Sequence, residues 1–125
     1  MIYGIGVDIV AVAEIVESIE QYGDKYLNRV FTSDEIRYCE ESTIKYQRYA
    51  ARWAAKEAAM KALSTGWDGG LQPQDFEVSN EQSGQPLLLV CGEAERLLQD
   101  LGIIGRWISL AHVPDYAIAQ VIFEQ

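Results

Sequence analysis

From Ile2 to Val10, the apolar residues Ile5, Val7 and Ile9 alternate with Gly4, Gly6 and Asp8. A period of two predicts a strand. The face that carries Asp8 is almost bare of side chains, which leaves room for a close approach to the backbone. Over Ala11–Tyr22 the period becomes 3.6: Val12, Ile15, Val16 and Ile19 on one side, Glu14, Glu17, Glu20 and Gln21 on the other. That is an amphipathic helix, with Gly23 as its stop. Thr32-Ser-Asp-Glu35 has capping-box spacing, so another helix starts at Ser33. A long alanine-rich helix follows over about Ile44–Leu63, closed by the glycine-rich loop Thr65–Gly70. After Pro73, Phe76–Val78 and Leu87–Val90 read as strands joined by the turn Asn80–Pro86. Glu93–Leu101 is a short helix ending at Gly102. Trp107–Ala111 and Ala117–Phe123 form a last hairpin around Pro114-Asp115. The order is strand, three helices, two strands, helix, two strands. It predicts a single α+β domain over residues 1–125, with helices on a mostly antiparallel sheet.

The alanine helix carries the chemistry. Ala50, Trp53, Ala54, Glu57, Met60 and Lys61 share one face, and most of the opposite face is alanine too. A helix apolar all round is buried. Glu57 then lies inside an apolar stripe, and a buried carboxylate needs a cation or a metal beside it. Lys61, one turn on, is one partner within reach. Asp8, a second isolated carboxylate in an apolar strand, could join Glu57 at a magnesium ion, which takes one or two carboxylates and completes its shell with water and phosphates. The simpler alternative is a capping aspartate and an intrahelical Glu57–Lys61 pair. Arg48, Arg52, Lys56 and Lys61 gather on this helix. Cations beside carboxylates suit a polyanionic ligand such as a pyrophosphate.

The bulk properties narrow the classes. A net charge of -9 lacks the basic excess of a general nucleic-acid binder. Mean hydropathy of -0.07 with 49% hydrophobic residues predicts a folded core. Cys39 and Cys91 lack metal or framework spacing, so free thiols in a reducing, cytoplasmic compartment are expected. Asp8 interrupts the N-terminal apolar run, so no secretory leader is expected, and no run approaches a membrane span. Gly4-Ile-Gly6 fails as a dinucleotide fingerprint because Ile9 holds the third glycine position. His112, the single histidine, stands at a strand end without a neighbouring acid or nucleophile.

Taken together, several segments resemble the holo-acyl-carrier-protein synthases, the small phosphopantetheinyl transferases of fatty-acid synthesis. They are Gly4-Ile-Gly-Val-Asp8-Ile-Val10, Arg29-Val-Phe31-Thr32-x-x-Glu35 and Ala51-Arg-Trp-Ala-Ala-Lys56-Glu57-Ala-x-x-Lys61-Ala62. The Gly84-x-Pro86 turn follows, then Ser109-x-x-His112 and Tyr116-Ala-x-Ala119. They occur in family order over nearly the whole chain, and the central helix motif is the most specific.

The resemblance implies a phosphopantetheinyl-transferase-like fold that moves the phosphopantetheine arm of coenzyme A onto a serine of an acyl carrier protein. Adenosine bisphosphate leaves. It implies that Asp8 and Glu57 hold magnesium and that Glu57 and Lys61 are catalytic, Lys61 by neutralising charge on the transferring phosphate. Arg52, Lys56 and His112 would contact the coenzyme. A homotrimer with sites between subunits is implied as well. Two positions depart from the family pattern. Glu14, followed by Glu17 and Glu20, stands where a basic residue usually meets the acidic carrier, and Ala111 replaces a common serine. A non-catalytic binder of coenzyme or carrier, and a metal-dependent hydrolase of coenzyme A, are the competing functions.

Overall fold

The computed structural model describes residues 1–125, the side chain of Asp68 excepted. The chain runs β1 (Ile2–Ala11), α1 (Val12–Tyr22), α2 (Asp24–Val30), α3 (Ser33–Glu40) and α4 (Lys45–Ala62). It continues through β2 (Phe76–Asn80), β3 (Pro86–Val90), α5 (Gly92–Asp100), β4 (Gly105–His112) and β5 (Tyr116–Glu124). Single 3-10 turns at Trp67–Gly69 and Pro73–Asp75 bridge α4 to β2. The α+β expectation holds, with two differences. The strands form two antiparallel sheets, β1-β5-β4 and β2-β3, rather than one. The second difference is α2, a seven-residue helix that buries Leu27 and Val30. Two turns are too short for a helical period to stand out in sequence.

α4 is the axis of the fold. One flank packs on β1 and β5, and the others meet α1, α3, β2 and β4. Ala50, Ala51, Ala54, Ala55, Ala58, Ala59 and Ala62 are all essentially inaccessible to solvent. Alanine is the best helix former and also the smallest side chain that still covers backbone. Such a helix can therefore be surrounded closely without losing helicity.

The space left beside Asp8 is taken by this helix. A Cβ on Gly6 would overlap the Ala58 carbonyl oxygen and lie 2.7 Å from the Ala62 amide nitrogen; one on Gly4 would overlap the Ala62 carbonyl oxygen. Two strand residues advance about 6.6 Å, and one helical turn of four residues about 6 Å. β1 and α4 therefore run past each other in step, Gly4 at Ala62 and Gly6 at Ala58. The same stride carries Asp8 toward the turn that ends at Glu57.

Across the sheet, Asp8 pairs with Ala119 and Ala119 with Leu110; Val10 pairs with Ala117 and Ala117 with His112. These rows lie on the helix side. On the other side Ile5, Val7, Ile9, Trp107 and Ile118 are exposed by 41–64%. α3 begins as its spacing predicts: the Glu35 amide donates to the Thr32 hydroxyl at 3.2 Å, and the Thr32 amide donates to Glu35 Oε1 at 3.0 Å.

Because backbone, not side chain, faces Gly6, no rotamer change can make room for a methyl group. Gly6→Ala should destabilise by about 3 kcal/mol or more, at or above the usual range for overpacking. Denaturant unfolding measures this; a midpoint within error of the parent would show that helix and strand can separate cheaply.

Candidate active site

Lys61 and Asp8 meet at the strand–helix crossing. The Lys61 ammonium donates to Asp8 Oδ1 at 2.8 Å and to the Val7 carbonyl at 3.1 Å. Helical side chains lean toward the N-terminus, so Lys61 reaches back over the turn that holds Glu57. Its pKa is raised, first by the bond to Asp8, with Glu57 adding its negative charge. The Glu57–Lys61 pair gives way to a Lys61–Asp8 bond across 53 residues, with Glu57 nearby. Glu57 is half-buried rather than buried, and the Trp67 indole donates to its Oε1 at 3.3 Å.

Among the described residues no three His, Cys, Asp or Glu side chains form a metal cluster. A closed zinc-type cage is thus not built here. Two carboxylates beside an open surface fit magnesium, which keeps waters and takes phosphate oxygens. Asp8 and Glu57 are the carboxylates that would hold such an ion.

A second group lies on another side of α4. Residues 52 and 57 are five apart, about 140° around the helix at 3.6 residues per turn. Arg48 and Arg52 therefore leave α4 away from Glu57 and Lys61. They line a groove of about 460 Å³ with Asn80, the Gly84–Pro86 turn and His112. The two guanidiniums lie 4.0 and 4.2 Å from the centre of the Tyr38 ring. Arg48 also donates to the Tyr38 carbonyl at 2.8 Å, and Arg52 to Asn80 Oδ1 at 2.9 Å. Asn80 in turn donates to the Gly84 carbonyl at 3.0 Å, which ties the turn to the groove. Arg52 is only 3% exposed, and among the described residues its Nε has no partner. A buried, incompletely satisfied guanidinium is set up for an anion. His112 is exposed, its Nδ1 2.8 Å from Gln47 Oε1.

Lys56 reaches neither group. It is fully buried; its ammonium donates to Glu35 Oε1 at 2.8 Å and to the carbonyls of Pro73 at 3.1 Å and Phe76 at 2.5 Å. Three donors meet three acceptors. Burial lowers its pKa, and the Glu35 carboxylate opposes that shift. The expectation that Lys56 contacts the coenzyme is corrected: it is a structural cation, and the buried carboxylate of this fold is Glu35, not Glu57. Glu35 was legible as a capping residue and as part of a family segment, but not as the partner of Lys56. Tyr38, Asn80 and Trp67 carried no separate signal. Glu14, Glu17 and Glu20 are exposed on α1, as their pattern predicts.

The fold belongs to one known class. A model of the 4'-phosphopantetheinyl transferase superfamily matches residues 4–121, and the chain belongs to that family. More particularly, it is 48% identical to the holo-[acyl-carrier-protein] synthase of Solibacter usitatus and 47% identical to that of Koribacter versatilis, each over 99% of both chains. Among solved structures it resembles the holo-[acyl-carrier-protein] synthase of Neisseria meningitidis, with a TM-score of 0.92 and 29% identity over the full length of both. It also resembles the Helicobacter pylori synthase in complex with coenzyme A, with a TM-score of 0.85 and 30% identity over 96% of this chain and 99% of that one.

Removing one partner of a buried ion pair typically costs about 3–5 kcal/mol. Lys56→Met should destabilise by that amount, read as a lower denaturant midpoint. An unchanged midpoint with a raised KM for coenzyme A would restore Lys56 as a coenzyme contact.

Proposed function

We propose that this chain transfers the phosphopantetheine arm of coenzyme A to a serine of an apo acyl carrier protein. The observation that carries the proposal is the meeting of Asp8, Lys61 and Glu57 at one crossing of strand and helix. A protein that only bound coenzyme or carrier would need no such meeting of carboxylates and cation. Membership of the transferase family and the likeness to named synthases support the same reading.

The carrier serine Oγ attacks the phosphorus that bears the pantetheine. A new P–O bond forms, and the pyrophosphate P–O bond breaks with its electron pair. Adenosine 3',5'-bisphosphate leaves, and the serine proton is lost. Catalysis of such a transfer is mainly positioning and charge neutralisation. Asp8 and Glu57 would hold a magnesium ion, which supplies positive charge across the pyrophosphate. Lys61 neutralises the transferring phosphate from the flank of Asp8. Arg48, Arg52 and His112 bind and orient the phosphorylated nucleoside end in their groove. Arg52 is fixed there by burial and by Asn80, so little ordering is left to occur on binding.

The two groups lie toward opposite edges of the three-stranded sheet. Asp8 is on edge strand β1, His112 on edge strand β4, and β5 runs between them. A site that uses both takes its halves from two copies. The exposed apolar side of the sheet is a surface for that contact. A homotrimer, closed head to tail, brings the β1 edge of each copy to the β4 edge of the next. No helix among the described residues is long and apolar enough to cross a membrane. Both cysteines are free, which suits a cytoplasmic setting.

Incubation with coenzyme A, magnesium and an apo-carrier, followed by mass spectrometry of the carrier, tests the activity. Asp8→Asn and Glu57→Gln should each remove most transfer while leaving the fold intact. Lys61→Ala should lower kcat about 10²–10³-fold with little change in coenzyme KM. Free phosphopantetheine with an unmodified carrier would replace this reading with the hydrolase.

Subunit mixing tests the shared site. Arg52→Gln and Lys61→Ala damage different halves. Two impaired homotrimers, co-refolded in equal amounts, should recover roughly a quarter of parental activity, from interfaces that pair two intact halves. No recovery in proven mixed trimers would confine the site to one chain.

A further inference from the structure

Trp67 has no part in the chemistry above, yet it touches one of its carboxylates. Its indole Nε1 donates to Glu57 Oε1 at 3.3 Å, and among the described residues this is the hydrogen bond the Glu57 side chain makes. The ring itself is held on two sides. It stacks on Trp53 at 6.1 Å between centroids and 19° between planes, and it lies edge-on to Phe76 at 6.3 Å. Trp53 and Glu57 are four residues apart on α4. A single turn therefore offers a platform for the ring and an acceptor for its N–H. A tight reversal after α4 brings the chain back. Ser64 takes a left-handed φ of 56°, and the Thr65 amide donates to the Met60 carbonyl at 3.2 Å.

A half-buried glutamate on a helix samples several rotamers. A donor fixed by ring stacking selects one of them and engages one oxygen, leaving Oε2 for another ligand. We propose that Trp67 is a positioning residue for Glu57: its N–H holds one carboxylate oxygen so that the other is presented to the divalent cation. The inference rests on the reading of Glu57 as a metal ligand. Groups that orient metal ligands typically contribute 10–100-fold in metal affinity or activity.

The test is manganese binding, followed by electron paramagnetic resonance with coenzyme A present and no carrier, so that nothing turns over. Three variants are compared with the parent. Trp67→Phe removes the N–H and part of the stack. Replacement of Trp67 by 3-benzothienylalanine exchanges only the N–H for sulfur and keeps the ring shape, so the fold is retained even where phenylalanine fails. Trp53→Phe disturbs the stack without removing the donor. Both changes at 67 should weaken manganese binding about 10-fold or more, while Trp53→Phe, which loosens the stack but keeps the donor, should weaken it by less. Parental manganese affinity in the benzothienyl variant overturns the inference. Glu57→Gln, run in parallel, separates the two levels. If it loses manganese while the benzothienyl variant does not, only the role of Trp67 falls. If it binds manganese as the parent does, the metal reading falls and takes the inference with it.

Discussion

The contact on which this structure depends is backbone against backbone: β1 lies on α4 with nothing but hydrogen at Gly4 and Gly6 between them. Side chains there would hold strand and helix apart at ordinary helix-on-sheet spacing. At closer range, Asp8 comes within 2.8 Å of a lysine that springs from the far end of the same helix. The alanines of α4 complete the condition. Their methyl groups cover the helix backbone without lengthening the distance to β5, where Ala117 and Ala119 are small for the same reason. Small residues on both sides of the crossing sacrifice apolar area, and larger groups elsewhere supply it. Phe31, Tyr49, Phe76, Val121 and Phe123 are fully buried elsewhere in the core.

The other flank of α4 is fixed by charge. Glu35 caps α3 with one oxygen and also takes the Lys56 ammonium; its second oxygen accepts from the Val78 amide at 2.9 Å. A single carboxylate thus joins α3, α4 and β2. Two desolvated charges are a poor source of net stability, and an apolar pair of similar volume could do as well. What the pair adds is direction. Lys56 can satisfy three hydrogens at only one placement of the segment from Pro73 to Phe76. That segment follows the loop that carries Trp67, so the buried pair anchors the far end of the loop that reaches Glu57. The next residue along α4, Glu57, therefore faces its partner from a helix fixed on both flanks.

These features differ in how far the sequence discloses them. Alternation in β1, the amphipathic pattern of α1 and the Thr32–Glu35 box are local, and each forms as its spacing predicts. The bareness of the Asp8 face was legible, but its meaning was not. A glycine stripe can admit a ligand or a helix, and only the packing decides. Lys56 and Glu57 are neighbours with similar polarity, about 100° apart on a helix. Which of them turns to the core depends on α3 and β2, far away in sequence, so the buried role was assigned to the wrong one. The division of five strands into two sheets was hidden likewise. Antiparallel hairpins look alike whether they extend a sheet or start another. Asp8, Glu57 and Lys61 were legible as a set because the resemblance ties them together; Arg52 and His112 were too. That these two sets point to different sides of one helix is a matter of the 140° between positions 52 and 57, which no motif states.

α4 packs on one face of the three-stranded sheet. A three-stranded sheet covered by a helix on one face must cover its other face with something. Here that face shows Ile5, Val7, Ile9, Trp107 and Ile118, more apolar area than water tolerates without cost. In the proposed homotrimer the β1 edge of one copy would meet the β4 edge of the next. The carboxylates and Lys61 would then come up against the arginine groove of the neighbour. Burial of the apolar face and completion of the anion site would be the same event. An isolated subunit would hold two half-sites, each open to water, where ion pairing is weak. Such an assembly would remove that water, and the charges around a bound pyrophosphate would act in a medium where they count for more.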